Sequence, residues 1–512
     1  MAQKDQSEFI SHILAGYNNS GASVYLGSAL LDGRVIPEAR VALPLRSFNR
    51  HGLIAGATGT GKTVTLQMVA HKLSHSGVPV LVMDIKGDLS GIAAAGALTA
   101  TIKERTGLLG TTYAPSACPT EFLTLTGKPG TRLRATVSEF GPVLFSRVLS
   151  LNETQSGIVS ILFKYADDNG LPLLDLKDFR QLLVFAGGQG KKEIQAGYGN
   201  ITPASLSTIQ RKIVELESQG GDLFFGERSF DVKDLLRKEN GMGIVSVLRL
   251  HDMQDRPQLF STFMLSLLAE LYQSLPERGD ADKPLLCLFI DEAHLIFNDA
   301  PKELLRQVET IVKLIRSKGV GLFFVTQNPS DIPAEILAQL GLKVQHALRA
   351  FTEKDRRSIR KAAENYPSSP YYDPAQLLTS LAIGEALVTG LNEKGIPTPL
   401  AAVALEPPPS RIGTLSPDEI RAVCDRSTII ASYNEEIDRE SAFEMLSAKM
   451  NVSTENKPVT GEKTGRSRAE PSVLRKAGES LARQAGRTLA QELTRGLLGV
   501  LGLGGRRRSR FR

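Results

Sequence analysis

The sequence of 512 residues predicts an α/β fold in which a mostly parallel sheet carries helices on both faces. Apolar runs at 78–85, 241–250, 284–290, 319–326 and 384–390 alternate with segments of helical periodicity. The runs are nearly continuous, which is typical of parallel strands that are buried on both faces. Polar residues follow several of the runs, at the strand ends where open α/β sheets bind their ligands.

The first of these elements lie near the N-terminus. Residues 24–30 and 40–45 predict one or two small strands, too little for an independent barrel. A further strand is expected at 51–55, followed by a glycine-rich turn and a helix that ends at Gly77, a natural C-cap. The compact core therefore begins near residue 47.

The middle of the chain predicts a long and mostly helical insertion. Asn152 is an N-cap candidate for a helix with apolar residues at helical spacing, and a second amphipathic helix follows from Pro203. Strand character returns at 241–250. The proline-rich stretch 406–409 is expected to end the compact body, with helical character at 410–445 and a polar segment at 448–472.

These observations divide the chain into six segments. They are a short β segment (1–46), the first part of the core (47–88), the mainly helical insertion (89–240), the second part of the core (241–405), a proline-rich and polar linker (406–472), and a basic amphipathic helix with an arginine tail (473–512).

Composition indicates an ordinary globular protein with an uneven charge distribution. Residues 463–512 contain thirteen lysines and arginines against three acids, a net charge of +10, so the rest of the chain carries −4. The three cysteines are far apart in sequence, which indicates neither a disulfide framework nor a zinc knuckle. No leader and no membrane-spanning run of about eighteen apolar residues is apparent, so a cytoplasmic location is expected.

One segment fits the phosphate-binding loop pattern G-x-x-x-x-G-K-[ST] at every constrained position. Its glycines let successive N–H groups point at phosphate oxygens, and the following helix N-terminus favours an anion. Its lysine would reach the β- and γ-phosphates, and its last threonine would coordinate Mg²⁺. The eight residues are Gly56, Ala57, Thr58, Gly59, Thr60, Gly61, Lys62 and Thr63.

A second motif supplies the carboxylates that such a loop requires. Asp291 and Glu292 follow the apolar run 284–290, where Asp291 would hold Mg²⁺ and Glu292 would act as the general base for water. Gln327, at the end of the next run, is expected to sense the γ-phosphate or orient the water. ATP is the expected nucleotide, because no guanine-reading N-K-x-D string follows a strand.

Arginines are the candidates for a trans-acting finger. Arg316 precedes the run 319–326 and would reach a neighbouring subunit's nucleotide; Arg356, Arg357 and Arg360 compete for that role. The alternative for Arg316 is a helix C-terminal cation that the helix dipole favours. The string at 291–294 also invites a DEAH-box interpretation, but the chain that follows is too short for a second tandem domain.

The segments 51–63, 84–88, 288–294 and 316–329 together resemble the HerA–FtsK superfamily of ATPases, and are most similar to the bacterial HerA-like YjgR group. The resemblance implies a RecA-like core, a hexameric ring, and hydrolysis by the residues above with an arginine in trans. It also implies translocation of double-stranded DNA.

The residues leave three functions open. The first is a DNA-translocating motor; the second is an ATP-driven assembly or scaffolding ring that acts on protein or membrane partners; the third is a phosphotransferase. The basic tail is expected to bind nucleic-acid phosphates, to bind an anionic membrane surface, or to pack against another subunit.

Overall fold

The structure, a computed structural model, describes residues 6–125, 128–250, 257–279, 281–297, 302–350 and 352–455. The strands are β1 (Ser23–Leu31), β2 (Arg34–Pro44), β3 (Gly52–Ala55), β4 (Val80–Asp84), β5 (Thr120–Thr124), β6 (Thr131–Arg132), β7 (Lys238–Glu239), β8 (Met242–Gly243), β9 (Val245–Arg249), β10 (Leu286–Ile290), β11 (Val320–Thr326), β12 (Leu342–Gln345), β13 (Glu385–Thr389) and β14 (Ala401–Leu405).

The helices are α1 (Gln6–Tyr17), α2 (Lys62–His75), α3 (Ala100–Leu109), α4 (Val137–Val148), α5 (Glu153–Asp168), α6 (Leu176–Gly187), α7 (Lys191–Tyr198), α8 (Pro203–Ser218), α9 (Gly221–Phe224), α10 (Pro257–Ser274), α11 (His294–Phe297), α12 (Lys302–Ile315), α13 (Ala334–Leu337), α14 (Glu353–Ala363), α15 (Pro374–Ser380), α16 (Pro417–Cys424), α17 (Ile430–Asn434) and α18 (Ala442–Glu455). Short 3₁₀ turns connect several of them.

Twelve of the described strands form one sheet in the order β2-β1-β14-β13-β12-β3-β11-β10-β4-β9-β5-β6. The pairs from β12 through to β6 are parallel, and the pairs that join β13, β14, β1 and β2 are antiparallel. The mostly parallel sheet predicted from the apolar runs is confirmed. Because parallel strands end at the same edge, the segments after β3, β11, β10 and β4 lie side by side.

Alternate residues of the central strands enter two different hydrophobic cores. Leu286, Leu288 and Ile290 of β10 pack in one core with the insertion helices, whereas Cys287 and Phe289 pack in the other with α2. A strand that is buried on both faces needs apolar residues at every position, which explains the continuous runs in the sequence. The expected helices on both faces of the sheet are confirmed.

The N-terminal segment adds an antiparallel edge to this same sheet rather than standing apart from it. Strand β1 pairs with both β2 and β14, and Gly27 lies opposite Leu405. A Cβ atom on Gly27 would lie 2.0 Å from the carbonyl oxygen of Ala404, so only glycine permits this close approach. Helix α1, which was not predicted, buries Phe9, Ile13 and Tyr17 against this region.

The helical insertion also contains two strands of the sheet that were not predicted. Strands β5 and β6 form its far edge, and the buried Glu121 of β5 accepts hydrogen bonds from Arg237 at 2.8 Å and Thr131 at 2.7 Å. A five-residue strand that contains a buried, paired acid does not form a continuous apolar run in the sequence. The helices of the insertion are confirmed; Asn152 caps α5, and its side chain accepts from the backbone N–H of Gln155.

The described residues after the proline-rich stretch pack onto the body. The sequence predicted a linker over 406–472 with helical character at 410–445, and in its described part α16, α17 and α18 bury Ile420, Tyr433 and Leu446 in the two cores. The prolines therefore redirect the chain across the body instead of ending it. The basic helix and arginine tail predicted for 473–512 lie outside the described residues. No helix in the described part of the chain combines the length and apolarity needed to cross a bilayer.

Candidate nucleotide-binding site

The turn between β3 and α2 has the backbone of a phosphate-binding loop. Gly56, Gly59 and Gly61 have φ values of 153°, 79° and 109°, in the region that favours glycine. A Cβ on Gly56 would lie 2.5 Å from the Cβ of His346. The backbone N–H of Gly56 donates to Thr326 at 3.3 Å, and that of Ala57 donates to Ala347 at 2.8 Å. The loop is thus held by the ends of the two strands that flank β3.

The tip of the loop is exposed and its base is buried. Thr58 and Gly59 are exposed, whereas Thr60 is buried and its hydroxyl donates to the carbonyl of Ala57 at 2.7 Å. Gly61 is the N-cap of α2 and offers no side-chain acceptor to the helix. The first N–H groups of α2 therefore have no partner inside the helix, as at other anion-binding helix ends.

Lys62 begins α2 and is 6% exposed. Its Nζ atom donates to the carbonyl of Ala57 at 3.1 Å, so the side chain lies back over its own loop. Burial lowers the pKa of Lys62, as does the neighbouring charge of Lys86, while Glu292 and Asp291 act in the opposite direction. The lysine, the loop and the two carboxylates therefore share one electrostatic environment.

Asp291 and Glu292 follow β10 directly, two strands from the phosphate-binding loop. Asp291 is 1% exposed, and no hydrogen-bond partner reaches its Oδ2 atom from the described residues. Burial raises the pKa of Asp291 to about 7, against the opposing effect of Lys86. Glu292 has a φ of 47°, a strained value for a residue with a side chain, which turns the chain sharply out of the strand.

The loop after β4 contributes Lys86 and Asp88, to which the sequence had assigned no role. The carboxylate of Asp84, the last residue of β4, shapes this loop by accepting hydrogen bonds from the N–H groups of Gly87 at 2.7 Å and Leu89 at 3.1 Å. Lys86 forms an ion pair with Glu292 Oε1. Asp88 approaches the loop from the same side: burial raises its pKa, while Lys86 and a hydrogen bond from Thr63 lower it.

Gln327 lies at the carboxyl ends of the parallel strands, beside the nucleotide site, whereas Arg316 lies at their amino ends. Gln327 is exposed directly after β11, between the loop strand β3 and the carboxylate strand β10. Arg316 precedes the seven-residue β11, which spans roughly 23 Å. Within one chain, Arg316 is therefore too far from Lys62 and Asp291 to contact the same phosphates.

Other arginines follow β12, the strand that pairs with the loop strand β3. Arg356, Arg357 and Arg360 are exposed on α14, which follows the carboxyl end of β12. Arg349, which the sequence had not singled out, is exposed two residues after Ala347, the residue that accepts from the loop. Nothing in the sequence signals this proximity, because β12 is short and lies almost 300 residues from the loop.

The residues present fit a nucleoside triphosphate with a magnesium ion. The glycine cradle and the free end of α2 fit phosphate groups, and Lys62 adds a positive charge. The Thr63 hydroxyl, Asp88 and the unpartnered Asp291 oxygen are hard oxygen donors of the kind that Mg²⁺ prefers. A bound dication would also stabilise the charged form of the buried Asp291 carboxylate. Fold and site together define a P-loop nucleoside triphosphatase with a RecA-like core.

Comparison with known proteins agrees with this class. The family model for the helicase HerA-like C-terminal region matches residues 31–508. The DNA double-strand break repair helicase HerA of Sulfurisphaera tokodaii is 22% identical over 377 residues, covering 73% of this chain and 69% of that protein. The corresponding helicase of Sulfolobus acidocaldarius is 21% identical over 399 residues, covering 74% and 70%. The chain belongs to the HerA-like helicase family and is a P-loop ATPase.

Solved structures support the fold alone. VirB4 of Thermoanaerobacter pseudethanolicus superimposes with a TM-score of 0.50 at 17% identity, covering 79% of this chain and 100% of that one. The bacterial conjugative coupling protein TrwB, in a crystal form with sulphate, superimposes with a TM-score of 0.51 at 16% identity, covering 80% and 93%.

Proposed function

We propose that this ATPase is a magnesium-dependent motor that assembles as a hexameric ring and translocates double-stranded DNA in the cytoplasm. The observation that carries the proposal is the convergence of Lys62, Asp291, Glu292 and Gln327 on one edge of the sheet, in a chain that belongs to the HerA-like family. The archaeal relatives that align with about 70% of their length are named DNA repair helicases.

In this proposal each residue has one task in hydrolysis. The loop N–H groups and Lys62 bind the β- and γ-phosphates, while Thr63 and Asp291 hold Mg²⁺, with Asp88 beside them. The metal, when bound, neutralises phosphate charge. Glu292 accepts the proton of the attacking water, and Gln327 orients that water. Lys86 fixes the position of the Glu292 carboxylate.

The position of Arg316 supports the proposal of a ring assembly. A cation at the edge opposite the site is unable to serve the nucleotide of its own chain, but it can face the loop edge of a neighbouring subunit in a ring. The arginines of α14 remain alternatives for the same role, because they are exposed on a helix that follows the carboxyl end of β12.

The experiment that tests the proposal is the ATPase rate of the full chain with and without long duplex DNA. We expect hydrolysis to require Mg²⁺ and to rise several-fold with duplex DNA, while Lys62→Ala remains inactive under both conditions. Light scattering in the presence of nucleotide should report six subunits. A rate that duplex DNA does not change would contradict the DNA motor and favour an assembly ring with protein or membrane partners. An ATPase rate that is the same with and without Mg²⁺ would contradict the assigned metal site.

A further inference from the structure

Two histidines and a cysteine meet at the end of α2 that lies away from the nucleotide site. His71 and His75 are one turn apart on α2, and Cys118 lies two residues before β5. One ring nitrogen of each histidine and the thiol sulfur all lie within 4.8 Å of one another. The two rings stack with centroids 4.2 Å apart. His71 is about 14 Å along the helix from Lys62, so this cluster is separate from the phosphate-binding loop.

Both imidazoles turn their Nε2 atoms towards the segment that ends in Cys118. The Nε2 of His71 lies 3.3 Å from the carbonyl and 3.1 Å from the hydroxyl oxygen of Ser116, and the Nε2 of His75 lies 3.4 Å from the carbonyl of Ala117. The contacts with the two carbonyls are longer than the usual 2.7–3.2 Å of an N–H···O bond. These two carbonyl contacts are weak, and a metal–nitrogen bond can replace them.

Two of the three residues of the cluster are buried and the third is exposed to solvent. His71 and Cys118 are 3% and 5% exposed, whereas His75 is exposed. The buried pair gives a shielded, partly apolar setting, and the exposed histidine provides an entry path and the freedom to rotate. An ion there would have two fixed ligands, one adjustable ligand and one position open to water.

The position on the helix also favours a cation. His71 and His75 lie in the last turns of α2, at the negative end of the helix dipole. The ligand types narrow the choice of ion, because two imidazoles and a thiolate suit zinc and other borderline-soft ions rather than Mg²⁺ or Ca²⁺. Zinc bonds of about 2.0–2.1 Å to nitrogen and 2.3 Å to sulfur require the three atoms to close in by roughly 1 Å. Rotation of the exposed His75 side chain supplies much of that movement.

We propose that His71, His75 and Cys118 form a zinc-binding site that ties the C-terminal end of α2 to the segment leading into β5. Water completes the tetrahedron, and the thiol proton of Cys118 leaves to solvent when the ion binds. The sequence did not reveal the site because His75 and Cys118 belong to different elements and only the fold brings them together.

The competing explanation is that these are ordinary packed side chains with no affinity for metal. Titration of metal-stripped full-length protein with Co²⁺ distinguishes the two, because a thiolate bound to cobalt gives a charge-transfer absorption band. The residues assigned to the magnesium ion include no cysteine, so Co²⁺ bound there gives no such band. We expect the band to saturate at one Co²⁺ per chain and to disappear when Zn²⁺ is added.

Three variants make the test specific. Cys118→Ser should abolish the band, and His75→Asn should weaken Co²⁺ binding by more than the roughly 10–100-fold that loss of an outer-shell partner costs. Cys424→Ser, which removes a buried cysteine of α16 outside the cluster, should leave the band unchanged. Because His75 is exposed, its variant should fold even where Cys118→Ser does not. Zn²⁺ should raise the melting temperature of the wild type and not of His75→Asn. Absence of the band in the wild type, or a band of equal strength in His75→Asn, would overturn the proposal.

Discussion

Lys86 and Glu292 form an ion pair between two neighbouring strand ends of the nucleotide site. Lys86 comes from the loop after β4, and Glu292 follows β10. The second carboxylate oxygen of Glu292 lies 3.2 Å from Nδ1 of His294. The proposed general base is therefore held between two nitrogen-containing side chains, and its position depends on residues outside the phosphate-binding loop.

Replacing Lys86 by methionine should slow hydrolysis while leaving nucleotide binding largely intact. Without the ammonium group Glu292 loses its restraint, and the carboxylates of Asp88 and Asp291 lose a neutralising charge. We expect kcat to fall about 10-fold or more, less than the roughly 10²–10⁴-fold expected for loss of the base itself. Steady-state kinetics should show little change in KM. Lys86→Arg should restore part of kcat, and Lys103→Met, at an exposed position of α3, should behave as wild type. An equal loss in Lys86→Arg and Lys86→Met would exclude a role for the charge.

Glu292→Gln and Asp291→Asn should separate proton transfer from metal binding. Glu292→Gln keeps the metal ligands, so it should bind Mg-ATP and hydrolyse it about 10²–10⁴-fold more slowly. Asp291→Asn should instead shift the Mg²⁺ requirement to higher concentration. Hydrolysis across a Mg²⁺ titration, together with nucleotide binding by fluorescence, measures both effects. Normal turnover in Glu292→Gln would move water activation to another residue.

The central strands were predictable because burial on both faces leaves a continuous apolar run. The strands that escaped prediction lack that signature. β12 is four residues long and contains Lys343 and Gln345, and β14 is rich in alanine, which favours helices. β5 carries the buried Glu121, whose partner Arg237 lies far along the chain. In each case a long-range contact outweighs the local preference.

The site was predictable only where the chemistry imposes a local pattern. The phosphate-binding loop needs glycines and a lysine at fixed spacing, and Asp291 and Glu292 directly follow a recognisable strand. His346 packs against Gly56, and its Nε2 atom lies 3.0 Å from the Thr65 hydroxyl, but it directly follows β12, a strand with no such pattern. Lys86 lies in the polar segment that follows β4, but its ion pair with Glu292 depends on β4 and β10 being neighbours in the sheet.

If Arg316 acts in trans, Arg316→Ala should lower the rate per site about 10³-fold or more without weakening nucleotide binding. Its distance from the site of its own chain makes subunit mixing the decisive measurement. Rings that combine Arg316→Ala with Lys62→Ala subunits should regain activity, since some interfaces then pair an intact loop with an intact arginine. Lys313→Ala, an exposed neighbour on α12, is the matched control. No recovery after verified subunit exchange would transfer the role to the arginines of α14 or to Arg349.

Deleting residues 463–512 should remove most of the long-range attraction of the chain to polyanions. The segment carries +10 against −4 for the remainder. If residues 463–512 bind DNA, the truncated protein should keep its basal ATPase rate and lose DNA affinity at moderate salt. Each lost phosphate contact should reduce the log–log salt slope by about 0.9. If the tail packs between subunits, light scattering should instead show a change in ring size. Binding to anionic vesicles that only the full chain displays would indicate a membrane role.

Glu270 should make the folded protein less stable as the pH rises. Burial in α10 raises its pKa to about 8 from an ordinary value of 4.5, and the carboxylates of Glu139 and Asp231 act in the same direction. Between these two values the folded state keeps a proton that the unfolded state releases. The free energy of unfolding should therefore fall by up to about 1.4 kcal/mol per pH unit through this window, with the full cost present above pH 8.

Glu270→Gln should remove that dependence, because an amide can occupy the same position without a charge. Urea unfolding of the variant and the wild type from pH 6 to 9 should show a stability difference that grows with pH in favour of the variant. Glu104→Gln, at an exposed position of α3, serves as the control and should run parallel to the wild type. Parallel curves for Glu270→Gln and the wild type across that range would show that Glu270 does not bind its proton more tightly in the folded protein.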